Sequence, residues 1–233
     1  MIRAVLFDFG QTLVNSADGF IKAERDAQLK LFSQLDHLSW DDFLLTYREI
    51  RKQLHAQSIF SRTILWEAVS LRFGLKPGKD LLSEWEQEYW RAVVDNTVMF
   101  PEAVSVLQAL SPRYRLGLVS NTQGQGDSAQ HRLRRFPDIA ERFDATIIAG
   151  ERDVPPKPDP QPFLRCLKAL RVEPREALFV GDDWRIDIRG AHDVGMRPVW
   201  LQHRLVKRTW AAVETAVPII HDLEPLIEPE LLV

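Results

Sequence analysis

Asp8 closes the apolar run Val5-Leu6-Phe7, and Phe9-Gly10-Gln11-Thr12 follows it. A buried strand ending in a carboxylate, then a glycine turn and a hydroxyl, delivers one nucleophilic or metal-binding acid to the carboxyl edge of a parallel sheet. Open α/β folds keep their sites there. Three later stretches place polar groups in the same way. Ser120-Asn121 end the strand-like Arg115-Leu116-Gly117-Leu118-Val119. Asp182-Asp183 end Ala177-Leu178-Phe179-Val180-Gly181, with Asp187 one helical turn onward. Between them lies Pro155-Pro156-Lys157-Pro158-Asp159-Pro160, a proline-stiffened loop that holds a single lysine.

Together these residues suit a phosphate ester and a magnesium ion. Mg²⁺ takes hard oxygen ligands, commonly one or two carboxylates with water and substrate phosphate, and Asp8 and Asp182 supply such ligands. Ser120 and the amides near Asn121 suit phosphoryl oxygens, and Lys157 offsets the negative charge. Asp8 can attack phosphorus to form an aspartyl phosphate. Each piece alone has a plainer reading: a turn or cap aspartate, an N-cap at Asp182-Asp183, an ordinary turn at Ser120-Asn121, a surface lysine. The functional reading rests on their order and spacing.

The elements that must position these residues follow from the rest of the chain. Residues 2–9 read as a strand buried on both faces. Residues 16–95 read as helices without a strand. Ala23, Ala27, Leu31 and Leu35 step at four, Ser39 caps a helix beginning Trp40-Asp41-Asp42, and Ser61 caps one closed by Phe73-Gly74. After the turn Lys76-Pro77-Gly78, Leu82, Trp85, Tyr89 and Val93 mark a further amphipathic helix. Trp66, Trp85 and Trp90 are expected in its core. From Phe100 strands and helices alternate, as in a parallel sheet with right-handed crossovers. The strands are expected at 115–121, 145–150, 177–183, 198–201 and 218–220. The end from Glu224 reads as a poorly ordered or surface-docked tail.

Composition narrows the function. The chain has 233 residues, 45% hydrophobic and 27% charged, with net charge −3. It carries no basic field for nucleic acid, and Arg132, Arg134 and Arg135 read as a solvated helix face. The lone cysteine, Cys166, reads as buried filler and fits a reducing compartment. Asp8 interrupts the first apolar run, so no signal peptide is expected, and no run reaches the roughly 18 apolar residues of a membrane span. The expected location is cytoplasmic.

With these motifs the chain resembles the haloacid dehalogenase-like (HAD) hydrolase superfamily, in the subfamily with a helical cap inserted after the first motif. The motifs are Asp8-Phe9-Gly10-Gln11-Thr12, Ser120-Asn121, Lys157 within Lys-Pro-Asp-Pro, and Gly181-Asp182-Asp183 completed by Asp187. The resemblance implies an α/β fold: a Rossmann-like three-layer core with a parallel sheet at 1–15 and 97–233, and a small all-helical cap domain at 16–96. It implies Asp8 as nucleophile with Lys157 as its catalytic partner. Thr12, Ser120, Asn121 and Lys157 would bind the phosphoryl group. Asp8, Asp182 and the Gly10 backbone carbonyl would hold Mg²⁺, supported by Asp183 and Asp187, the latter as a metal-site or lysine-orienting acid. The partner would be a small phosphorylated metabolite.

One departure stands out. Phosphatases of this family carry a second aspartate two residues after the nucleophile, as general acid and base. Here that residue is Gly10. Such help is typically worth about 10²–10⁴-fold, so activated esters should react and alkyl phosphates slowly. Asp18 and Glu24 are the replacement candidates, and Gln11 can orient water but not carry a proton. Two other readings follow: a metal-independent 2-haloacid dehalogenase-type hydrolase, and a non-catalytic phosphate- or partner-binding module. The acidic fourth motif argues against the first, because clustered carboxylates without a cation make poor nucleophiles. Retained Asp8 and Lys157 argue against the second.

Overall fold

The computed structural model describes residues 1–57, 59–122, 124, 131–150 and 153–228. In chain order the elements are β1 (Ala4–Phe7), β2 (Val14–Asn15), α1 (Ala17–Phe32), α2 (Trp40–Ala56), α3 (Arg62–Arg72), α4 (Lys79–Asp95), β3 (Val98–Met99), α5 (Ala103–Leu110), β4 (Arg115–Asn121), α6 (Pro137–Ala140), β5 (Ala145–Ala149), α7 (Pro160–Leu170), β6 (Ala177–Gly181), α8 (Arg189–Asp193), β7 (Arg197–Leu201) and β8 (Ile219–Ile220). The chain divides into two compact units. One comprises residues 1–17, 98–122 and 127–233; the other comprises 18–97 and 123–126.

The first unit is an α/β core. Its six-stranded sheet has the order β5-β4-β1-β6-β7-β8, and every neighbouring pair is parallel. The chain runs outward from β1 through β4 to β5, then returns to β6 on the other side. The strand order therefore reverses at β1, and the carboxyl end of that strand is the switch point where such sheets bind ligands. β1 is fully buried because apolar layers cover both faces. Val5 and Phe7 join the layer that includes α5, and Leu6 joins the layer that includes α7. Gly117 in β4 lets α7 approach, since a Cβ there would lie 2.8 Å from both Cys166 Sγ and Leu6 Cγ.

Cys166 is fully buried, and burial pushes its thiol up to about 12, so it is packing rather than a reactive group. The expected tail is partly integral to this unit: Glu224–Ile227 form a 3₁₀ turn and Leu226 is fully buried in the core. Residues 229–233 lie outside the described residues. A short antiparallel ribbon, β2 with β3, was not evident in the sequence because each strand has only two residues.

The second unit is α1–α4 around its own core of Ala23, Ala27, Leu31, Phe43, Tyr47, Leu65, Trp66 and Val93. Trp66 is fully buried, while Trp85 and Trp90 pack against that core from partly buried positions. Ser39 and Ser61 cap α2 and α3, each accepting a hydrogen bond from the backbone N–H three residues on. Such caps are worth about 1 kcal/mol each. Gly19 lies inside α1, and a Cβ there would sit 2.6 Å from the Val93 carbonyl. Among the described residues no helix is long and apolar enough to cross a membrane.

Candidate active site

Parallel strands bring the predicted residues to one edge. Asp8 follows β1, Ser120-Asn121 end β4, Lys157 lies beyond β5, and Asp182-Asp183 follow β6. Lys157 is the centre of the arrangement. Its Nζ donates to Asp8 Oδ1 at 2.8 Å, to Asp187 Oδ1 at 2.7 Å and to the Val119 carbonyl at 2.7 Å. All three ammonium protons are therefore used. The side chain is buried, and although burial alone would lower its affinity for the proton, Asp187 and Asp8 outweigh that and hold it charged.

Asn121 explains how the lysine loop is held. Its side-chain oxygen accepts from the Lys157 N–H at 2.8 Å, and its amide donates to the Lys157 carbonyl at 3.1 Å. The Asn121 side chain thus positions Lys157 and is already engaged with protein. The prolines stiffen the same loop, and Asp159 caps α7 by accepting from Gln161 N–H at 2.8 Å.

The acids differ in their commitments. Asp187 is bound by Lys157 through Oδ1 and by the Asp183 N–H through Oδ2 at 3.0 Å. It approaches this closely because residue 181 is glycine: a Cβ there would lie 2.6 Å from Asp187 Cγ. Asp183 accepts from the N–H groups of Arg185 and Ile186 at 2.9 and 3.1 Å, so it caps the turn that carries Asp187. Asp8 Oδ2 has no protein donor among the described residues.

Asp8, Asp182 and Asp187 can each offer an oxygen within 4.8 Å of the others. Burial raises the affinity of Asp182 for a proton, and Asp187 and Asp8 add to this, while Arg208 pulls it back. Burial likewise raises Asp187, against the pull of Lys157. A buried set of hard oxygens with surplus negative charge fits a divalent cation. Thr12 adds a buried hydroxyl whose oxygen has no hydrogen-bond partner among the described residues. Buried polar groups are normally satisfied, and a ligand oxygen would satisfy this one.

Three groups were missed in the sequence. His131 Nδ1 accepts from the Leu133 N–H at 3.1 Å, which leaves the proton on Nε2, 3.1 Å from Ser120 Oγ. Ser120 then accepts from His131 and keeps its own proton for a ligand. Burial, then Arg132 and Lys157, lower His131 to about 3, so the ring is neutral near pH 7. Arg132 corrects the expected solvated face. It is only 3% exposed, whereas Arg134 and Arg135 are exposed. Its Nη2 lies 3.5 Å from where a Cβ on Gly10 would be, and its guanidinium lies 5.4 Å from the Phe9 ring centre. Arg208 bonds Asp182 Oδ2 through Nη1. Nothing in the spacing of these residues marked them, since each comes from an irregular segment or short turn.

Of the residues considered near the missing acid, Gln11 and Glu24 have other engagements. Gln11 accepts from the Ser16 N–H at 2.9 Å and donates to Ser16 Oγ at 3.3 Å, which fixes its positive-φ turn. Glu24 accepts from Arg51 at 3.1 Å and Tyr89 at 3.3 Å inside the helical unit. Asp18 is exposed at the start of α1.

The sequence model of the haloacid dehalogenase-like hydrolases matches residues 2–195. The chain belongs to the haloacid dehalogenase-like hydrolase family and is a hydrolase with its α/β fold. It is 30% identical over 205 residues to a glyceraldehyde 3-phosphate phosphatase of Pyrococcus abyssi, covering 87% of this chain and 82% of that one. Among solved structures it is similar to a 2-haloacid dehalogenase of Pseudomonas syringae pv. tomato, with TM-score 0.69, 25% identity, and 100% and 98% of the two chains covered. It is equally similar to a HAD phosphatase of Thermococcus onnurineus, with TM-score 0.69, 25% identity, and 97% and 96% covered.

Proposed function

We propose that this protein is a magnesium-dependent phosphatase of small phosphorylated metabolites, working through an aspartyl phosphate on Asp8. The observation that carries this reading is Lys157 Nζ held between Asp8 and Asp187 at 2.8 and 2.7 Å, beside the third carboxylate of Asp182. The phosphatase relatives support the same class.

In this mechanism Asp8 Oδ2 attacks phosphorus, the bond to the leaving oxygen breaks, and the phosphoryl group passes to Asp8. Water then attacks the phosphoryl group, releases phosphate and restores the carboxylate. Lys157 holds Asp8 aimed through its 2.8 Å hydrogen bond and offsets negative charge beside it. Ser120, with its proton freed by His131, and Thr12 donate to phosphoryl oxygens. Asp8, Asp182 and the Gly10 carbonyl would hold Mg²⁺, with Asp187 orienting the lysine. When bound, the cation offsets repulsion between the carboxylate and the incoming phosphoryl oxygens. With glycine at residue 10 the leaving oxygen departs without a proton from that position, which favours aryl and acyl phosphates over alkyl phosphates. Residues 16–96 are the cap, the part of the family's plan that selects the substrate, and the location is cytoplasmic.

A second reading is carbon–halogen cleavage without a metal, favoured by Gly10 and by the likeness to a 2-haloacid dehalogenase. One assay separates the two. Phosphate release from an aryl phosphate should need Mg²⁺ and vanish in Asp8→Asn. Halide release from a 2-haloacid in chelator, with no phosphate released in Mg²⁺, would replace the first reading with the second.

A further inference from the structure

The irregular segment between β7 and β8 carries Arg208, whose side chain is 36% exposed while that of Asp182 is 8% exposed. Its Nη1 bonds Asp182 Oδ2, and its Nη2 lies 3.9 Å from Asp183 Oδ2. The guanidinium stacks 4.0 Å over the Trp210 ring. Trp210 meets Trp200 edge-on at 6.3 Å, and Trp200 Nε1 donates to the Asp182 carbonyl at 3.0 Å. A surface loop thus places a fixed positive charge on a carboxylate oxygen of the buried acidic cluster, seated on an aromatic platform.

A divalent cation prefers carboxylate oxygens stripped of competing charge. Asp182 has one guanidinium on the oxygen facing the loop, and positive charge on both sides of one carboxylate is repulsive. The arginine is partly exposed and belongs to no helix or strand, so water can take over its donors when a cation replaces it on the buried Asp182. We propose that Arg208 is a tethered counter-cation that competes with the divalent ion for Asp182, so that metal binding and release of Arg208 are linked. This rests on the reading of Asp182 as a metal ligand. Linkage is reciprocal: what loosens the arginine tightens the metal by the same factor.

The size of the effect follows from population. If the ion pair is formed about 90% of the time, the apparent metal affinity is about tenfold weaker than that of the freed site. The test is calorimetric titration of Mg²⁺ into chelator-stripped wild type, Arg208→Gln and Asp182→Asn, without substrate. Arg208→Gln should bind about tenfold tighter, with Arg208→Lys between it and wild type. A second readout is tryptophan emission, since losing the guanidinium changes the surroundings of Trp210. Wild type should show an emission change on adding Mg²⁺, and Arg208→Gln should not. Equal or weaker binding by Arg208→Gln overturns the competition and leaves the cation reading standing. Absence of binding by both proteins, or full binding by Asp182→Asn, overturns both.

Discussion

Gly10 and Arg132 must be considered together. On the proposed mechanism Gly10 leaves out the proton carrier, and the Arg132 guanidinium stands beside the space that carrier would fill, with Nη2 3.5 Å from the missing Cβ. A carboxylate introduced there meets a buried cation, which favours its ionised form and leaves little of it protonated to donate near pH 7. Gly10→Asp should therefore raise kcat/KM for an alkyl phosphate by less than about tenfold, short of the 10²–10⁴-fold typical of acid–base help. Steady-state kinetics on matched alkyl and aryl phosphates check this. A gain above 10²-fold would mean that Arg132 does not restrain the new acid.

His131 makes a second prediction at this scale. Its folded value lies at about 3, against an ordinary 6.5. The unfolded chain therefore takes up this proton first as pH falls. The stability it contributes is complete above pH 6.5 and is lost as pH falls toward 3, at about 1.4 kcal/mol per pH unit. Urea unfolding of wild type and His131→Gln at pH 7 and pH 5 should show the difference between them shift by about 2 kcal/mol, against wild type at the lower pH. A constant difference would show that His131 does not titrate this way.

At the scale of elements, the site depends on strand ends and on the loop that Asn121 holds. Asn121→Ala removes both side-chain bonds to the Lys157 backbone while leaving the lysine in place. A misplacement of about 1 Å costs on the order of 10²-fold in rate. The expected result is a fall of that order in kcat, with β4 intact by circular dichroism. Unchanged kcat would leave the proline loop alone responsible for holding the lysine.

The same elements show what the sequence could and could not reveal. β4 and the caps at Ser39 and Ser61 were legible because apolar period and cap chemistry agree locally. Asp8, Lys157, Asp182 and Asp187 were legible as a set because each follows a strand or a stiff loop. The Asn121 clamp was not, because its partner lies 36 residues away and is a backbone. Arg132 looked solvated because neighbouring charges at 134 and 135 mask a residue that turns inward. Arg208 gave no signal, since an irregular segment carries no period from which its direction can be read.

At the scale of the whole molecule, two compact units with separate cores share one chain. The α/β core gathers residues as distant in sequence as Asp8 and Lys157, 149 positions apart. Parallel strands need long crossovers, and that is what brings remote segments to one edge. The helical unit packs its aromatic core independently, with Phe43 and Trp66 fully buried. On the proposed function, this separation would let substrate selection vary without disturbing the chemistry at Asp8.

The most direct test asks whether the phosphoryl group reaches Asp8. Wild type is mixed with an aryl phosphate and Mg²⁺, quenched in acid within a turnover, and digested for mass spectrometry. One phosphoryl group is expected on the peptide containing Asp8, absent when Mg²⁺ is chelated and absent in Asp8→Asn. Steady hydrolysis by the Asp8→Asn protein, or a phosphoryl group found on another residue, would contradict it.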